Sequence, residues 1–259
     1  MRVPTFTNVM LPSLIICLSA VGADVSTTPE NVSNGTAVTQ FGPITDAELR
    51  EGLSDSELAR LEELIPHGKE HNARFDLTED ELSRATSAQL VQHYLTSPMP
   101  VAFGLYSKSE IGLYRAYRES ATLTELLERD DFVDGFIAFY ANTKKAITNP
   151  DSTQRTSGAI SLSLMHADHL LLYAPLFKRT AGHERRLLAE LVDLCRTIAD
   201  LNAKNRARTG EDLYNNPIHL CLHLLKRIDP DGFSRWDADA AFIKDEHAFL
   251  EYVALQVNT

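Results

Sequence analysis

The chain has 259 residues, 44% of them apolar, and a formal net charge of −11. That is enough length and apolar content to build a core without metals or many disulfides. The acidic balance argues against nucleic acid and anionic membranes as partners, since both need clustered Lys and Arg, and leaves an unidentified protein or small-molecule partner open.

Residues 1–23, MRVPTFTNVMLPSLIICLSAVGA, read as a secretory signal peptide. Arg2 supplies the basic start, Val9 to Leu18 form an apolar stretch too short to span a bilayer, and Val21-Gly22-Ala23 offers small residues for cleavage. A competing reading makes Cys17 a lipidated residue, but Ile16 before it is bulkier than such signals prefer. No later stretch approaches ~20 uninterrupted apolar residues, so no membrane insertion of the mature chain is expected. The expected location is secreted, extracellular or periplasmic. Residues 24–43 are rich in Ser, Thr, Asn, Gly and Pro and read as a disordered linker. Asn31 and Asn34 there match the N-glycosylation pattern, which carries meaning only in a eukaryotic host.

Residues 44–259 read as a single all-helical domain. Its most informative local signal is a repeated helix start. Thr45-x-x-Glu48, Ser54-x-x-Glu57, Thr78-x-x-Glu81, Thr86-x-x-Gln89, Ser107-x-x-Glu110 and Thr122-x-x-Glu125 all have the form of a capping box, each followed by an aliphatic residue. Longer helices follow. Asp131 to Ile147 carries Phe132, Phe136, Phe139 and Tyr140 as a core stripe, with Asp131 as its cap and Arg129 as a charge closing the helix before it. Further helices are expected near Ala159 to Leu176, His183 to Asn205, Pro217 to Ile228 and Ala238 to Val257. No stretch sustains strand-like alternation. The fold class is all-α, an array or layered bundle of short capped helices followed by longer ones.

The stretch from Thr86 to Tyr140 resembles a helical module of uncharacterised secreted bacterial proteins. Its parts are the capped helix Thr86 to Leu95, a turn from Thr96 to Pro100, an aromatic-rich helix around Gly112 to Tyr117, a Leu-Leu segment from Glu125 to Asp131, and a helix ending in Tyr140. HADHLLLYAPLF continues it, so the similarity spans roughly residues 86–177. The doubled proline, Pro98 and Pro100, departs from the module. The resemblance implies a secreted helical protein and supplies no activity, substrate or catalytic residue.

IHLCLH, residues 218–223, sets two histidines and a cysteine at alternate positions. Its flanks predict a helix: Asn216 to cap it, Pro217 at the first turn, Lys226 and Arg227 in the last, and Asp229-Pro-Asp-Gly to stop it. Residues two apart on a helix point ~200° apart, so His219, Cys221 and His223 cannot chelate together. Cys221 falls with Ile218, Leu222 and Leu225 on the buried stripe, and Cys195 falls with Leu188, Val192 and Ala199 on its own helix. An even pair of cysteines in an oxidising compartment predicts a Cys195–Cys221 disulfide; two buried free thiols are the alternative.

His219 and His223 stand four apart, and His166 and His169 bracket Asp168 on another helix. Two such pairs are the raw material of a tetrahedral zinc site, and a zinc-dependent secreted hydrolase is the alternative function. Against it, Lys226 shares the face of His219 and His223, and no H-E-x-x-H motif is present. His67 and His71 form a weaker pair, because Pro66 and Gly68 argue against a helix there. Nucleophile elbows, phosphate loops and nucleotide fingerprints are also missing. The expectation is therefore a secreted structural or interaction protein with no cofactor and no assigned catalytic residue.

Overall fold

The computed structural model describes residues 42–98, 109–149, 154–236 and 245–257. They belong to one contact unit, Val38–Thr259. The expected signal peptide, most of the linker, Asn31, Asn34 and the Ser107 capping box fall outside them.

Thirteen helices and no strands are found among the described residues, as the patterning predicts. The first four are α1 (Asp46–Arg50), α2 (Asp55–Asn72), α3 (Glu79–Arg84) and α4 (Ser87–Thr96). Each begins with its expected capping box, in which the Thr or Ser hydroxyl accepts from the N3 amide and the Glu or Gln accepts from the cap amide. Such boxes are local, so they form wherever the chain is free to make them.

Two local expectations fail for tertiary reasons. Helix α2 runs through Pro66 and Gly68 rather than breaking. Packing against α5 (Ser109–Glu119) carries it through, and Gly68 leaves room for the Glu119 carboxylate, whose carbon would lie 1.9 Å from an added Cβ. Thr122 does not cap α6 (Ala121–Leu127). Ser120 does, accepting from the Leu123 amide at 3.1 Å. Asp76 adds a second cap, accepting from the Ala121 and Thr122 amides, both at 3.1 Å, and from the Ser120 hydroxyl at 2.8 Å. Thr122 is buried and accepts instead from the Leu77 amide at 3.3 Å. A carboxylate delivered from elsewhere in the chain outcompetes the local box.

Helix α7 (Phe132–Ile147) packs most extensively against α4 and against α10 (Glu184–Thr209). Its stripe is core as expected: Phe132, Phe136, Phe139 and Tyr140 are all buried. Asp131 precedes α7 without capping it, and its carboxylate accepts from the Ser87 hydroxyl at 2.5 Å. Arg129 does more than close α6. Besides Glu125, its guanidinium donates to the carbonyls of Leu82 at 2.9 Å and Ala85 at 2.5 Å, fastening the end of α3.

The expected helix from Ala159 to Leu176 is two, α8 (Gln154–Leu171) and α9 (Ala174–Arg179), broken where Pro175 opens the second. Helix α10 ends at Gly210, whose φ of +81° suits a left-handed C-cap that other residues resist. Then come α11 (Ile218–Ile228), α12 (Pro230–Trp236) and α13 (Glu246–Val257). Helices α11 and α13 both lie against α10, and α8 lies against α4, α7 and α11. Among the described residues no helix is long and apolar enough to cross a membrane.

Candidate functional site

IHLCLH is helical, so its residues part as helical geometry requires. Ile218, Cys221, Leu222 and Leu225 are buried, whereas His219 and His223 are exposed. Asn216 is not the cap; Pro217 occupies that place and Asn216 donates to Glu246 at 3.3 Å. His223 meets Phe177 edge-on, with ring centroids 6.2 Å apart. His166 is 3% exposed and its Nδ1 has no hydrogen-bond partner, so burial, with His169 nearby, holds its pKa down at about 4. The two histidine pairs do not join. Among the described residues no group of three or more His, Cys, Asp and Glu side chains is placed to hold a metal ion.

Four helices instead assemble a different polar group, with Asp168 half-buried at its edge. Tyr140 of α7 donates to Asp168 of α8 at 2.8 Å. Cys195 of α10 and Cys221 of α11 face each other with their sulfurs 3.9 Å apart, and both are fully buried. They are free thiols. The expected disulfide is not at bonding distance, which is ~2.05 Å; the packed helices leave the two sulfurs in van der Waals contact. The four groups act on one another: burial above all holds the Tyr140 hydroxyl protonated, helped by Asp168 and then by the two cysteines. Burial pushes the Cys195 thiol up, helped by Cys221 and Asp168. Burial also lifts the Asp168 carboxyl to about 7 against the opposing effect of the Tyr140 hydrogen bond.

The surface offers a second feature. A groove of about 400 Å³ lies between the C-terminal end of α7 and one face of α10. Its lining combines Ile147, Leu201, Leu213 and Tyr214 with the polar Thr148, Asn149, Thr197, Asp200 and Lys204. That volume matches the smaller ligand clefts, roughly 300–1,000 Å³, but the groove is half open to solvent. Thr197, Asp200, Leu201 and Lys204 repeat at helical spacing and so form one stripe of α10. Ile147 and Tyr214 are buried, while Asp200 and Lys204 are exposed at the rim.

No family model, curated protein or solved structure matches the chain.

The far wall of the groove is held by two buried asparagines of α10. The Asn202 side chain accepts from the Leu213 and Tyr214 amides at 2.8 and 2.9 Å and donates to the Tyr214 carbonyl at 2.8 Å. Asn205 donates to the Glu211 carbonyl at 2.9 Å. One amide side chain thus stands in for a turn of backbone pairing. Sequence reasoning missed this site, since Asn202 and Asn205 read only as polar residues near a helix end. Asn202→Ala leaves three backbone groups unpaired, two of them on buried Tyr214, and is expected to lower stability by about 2 kcal/mol. Urea unfolding gives the loss, and hydrogen exchange should place the loosening at residues 211–215.

Proposed function

We propose that the protein is a secreted helical interaction protein that holds a small ligand in the groove between α7 and α10. The observation that carries this is the groove itself: an apolar floor of Ile147, Leu201 and Tyr214 under a rim bearing one cation, Lys204, and one anion, Asp200. Such a surface suits a ligand with an apolar body and a charged end, the floor providing burial and the rim orientation. The secreted location is part of the proposal and comes from the pattern of residues 1–23 and the resemblance over residues 86–177. The zinc-hydrolase alternative is not carried forward, because the described histidine pairs do not converge.

The test uses three probes that differ in charge: L-leucine, octanoate and octylammonium. Saturation-transfer NMR should show contact with at least one of them, and the charge of that probe identifies which rim residue is read. Thr197→Trp fills the groove and is expected to abolish the transfer. Silence from all three probes, or transfer that survives Thr197→Trp, would overturn the proposal.

A further inference from the structure

The thiol pair is unexplained by the groove and yet brackets most of its lining along the chain. Cys195 and Cys221 are 26 positions apart with sulfurs at 3.9 Å. The segment between them carries Thr197, Asp200, Leu201, Lys204, Leu213 and Tyr214, six of the nine residues that line the groove. A bond between the two sulfurs would therefore close a covalent ring around most of the groove wall. Closure asks for ~2 Å of sulfur approach, given an S–S bond of ~2.05 Å, with both cysteines already on adjacent packed helices.

We propose that Cys195 and Cys221 form a thiol–disulfide redox site whose oxidation rigidifies the groove wall. The oxidant is a low-molecular-weight disulfide, RSSR. One protein thiol loses its proton to solvent, and the thiolate attacks a sulfur of RSSR. The RS–SR bond breaks, one RS⁻ leaves with the electron pair, and it takes up a proton. The second protein thiol then loses its proton and attacks the protein sulfur of the mixed disulfide, expelling the other RS⁻, which is protonated in turn. Two protein thiols are oxidised and one RSSR is reduced to two RSH. In the closed protein the site is slow, because both sulfurs are fully buried and the surroundings hold Cys195 in its thiol form. Reaction therefore proceeds through opening of α11 away from α10.

The consequence for binding rests on the proposed groove function, whereas the bond itself does not, and the experiment separates them. The full chain is purified under reductant, treated with glutathione disulfide, quenched with a thiol-alkylating reagent under denaturing conditions and weighed. The expected result, read on the peptides that carry Cys195 and Cys221 so that Cys17 is scored apart, is loss of two hydrogens and no alkylation of either. The melting temperature should rise by roughly 5–10 °C, reversibly with dithiothreitol, and Cys195→Ala and Cys221→Ala should show no such rise. Amides between residues 196 and 217 should exchange several-fold more slowly in the oxidised form. Thiols that remain alkylatable after prolonged oxidation would overturn the redox site. A disulfide that forms without slowing those amides would overturn its link to the groove. Failure of all three small probes to bind would remove the proposed ligand site and leave the mass and exchange results standing.

Discussion

Gly135→Ala is expected to destabilise the protein by about 3 kcal/mol, at the upper end of what a single added methyl costs in a packed interior. An alanine Cβ at this position would lie 2.8 Å from the carbonyl carbon and the oxygen of Ser87, and 3.1 Å from its Cβ. Those are backbone atoms of the first turn of α4, so no rotamer change relieves the contact. The two helices cannot part locally either, because Ser87 is tied to Asp131 at 2.5 Å and the layer below is filled by Leu90, Val91, Phe132 and Phe136. The control is Gly158→Ala in α8, an exposed glycine whose added Cβ meets nothing within 4 Å. There alanine should stabilise by about 0.5–1 kcal/mol, through helix propensity and a less flexible unfolded chain. Denaturant unfolding of both variants should give opposite signs. If Gly135→Ala behaves like Gly158→Ala, the close approach of α4 and α7 is wrong.

What the sequence made legible follows from the range of each interaction. The boxes at Thr45, Ser54, Thr78 and Thr86 act over three residues, and all four formed as expected. The box at Thr122 has the same letters and failed, because Asp76 arrives from 46 positions away. Pro66 and Gly68 looked like a break because their local propensities are poor, yet packing against α5 carries α2 through them. The aromatic stripe of α7 and the burial of Cys221 were legible from helical period alone. The meeting of Cys195 with Cys221 depended on how α10 and α11 slide against each other, which no period encodes. The groove was invisible for a related reason. Its lining comes from two helices and a loop, and the loop is set by one buried amide, Asn202, whose three partners are read only in three dimensions.

The interior groups of α8 predict an unusual dependence of stability on pH. Asp168 titrates at about 7 in the folded protein against an ordinary 3.8. Between those values the folded state keeps a proton that the unfolded state has released, so stability falls as pH rises, by up to about 1.4 kcal/mol per unit. His166 has the opposite sign: its pKa is lowered from 6.5 to about 4, so in that interval the unfolded state holds the extra proton and stability falls on acidification. His169, also lowered by burial, adds to the histidine side. In the wild type the two slopes offset each other between about pH 4 and 6.5. Removing either one exposes the other. Asp168→Asn keeps an oxygen to accept from Tyr140 while losing the ionisable group. Relative to wild type it should gain roughly 2–4 kcal/mol above pH 7, and the gain should vanish towards pH 4. His166→Gln, whatever its fixed cost, should become more stable relative to wild type as pH falls from 6.5 to 4. Urea unfolding across that range, read as differences from wild type, cancels the carboxylates elsewhere that also titrate. Parallel curves for wild type and Asp168→Asn would mean that the Asp168 carboxyl ionises as it does in water, and that its half-buried place beside Tyr140 does not favour the protonated form.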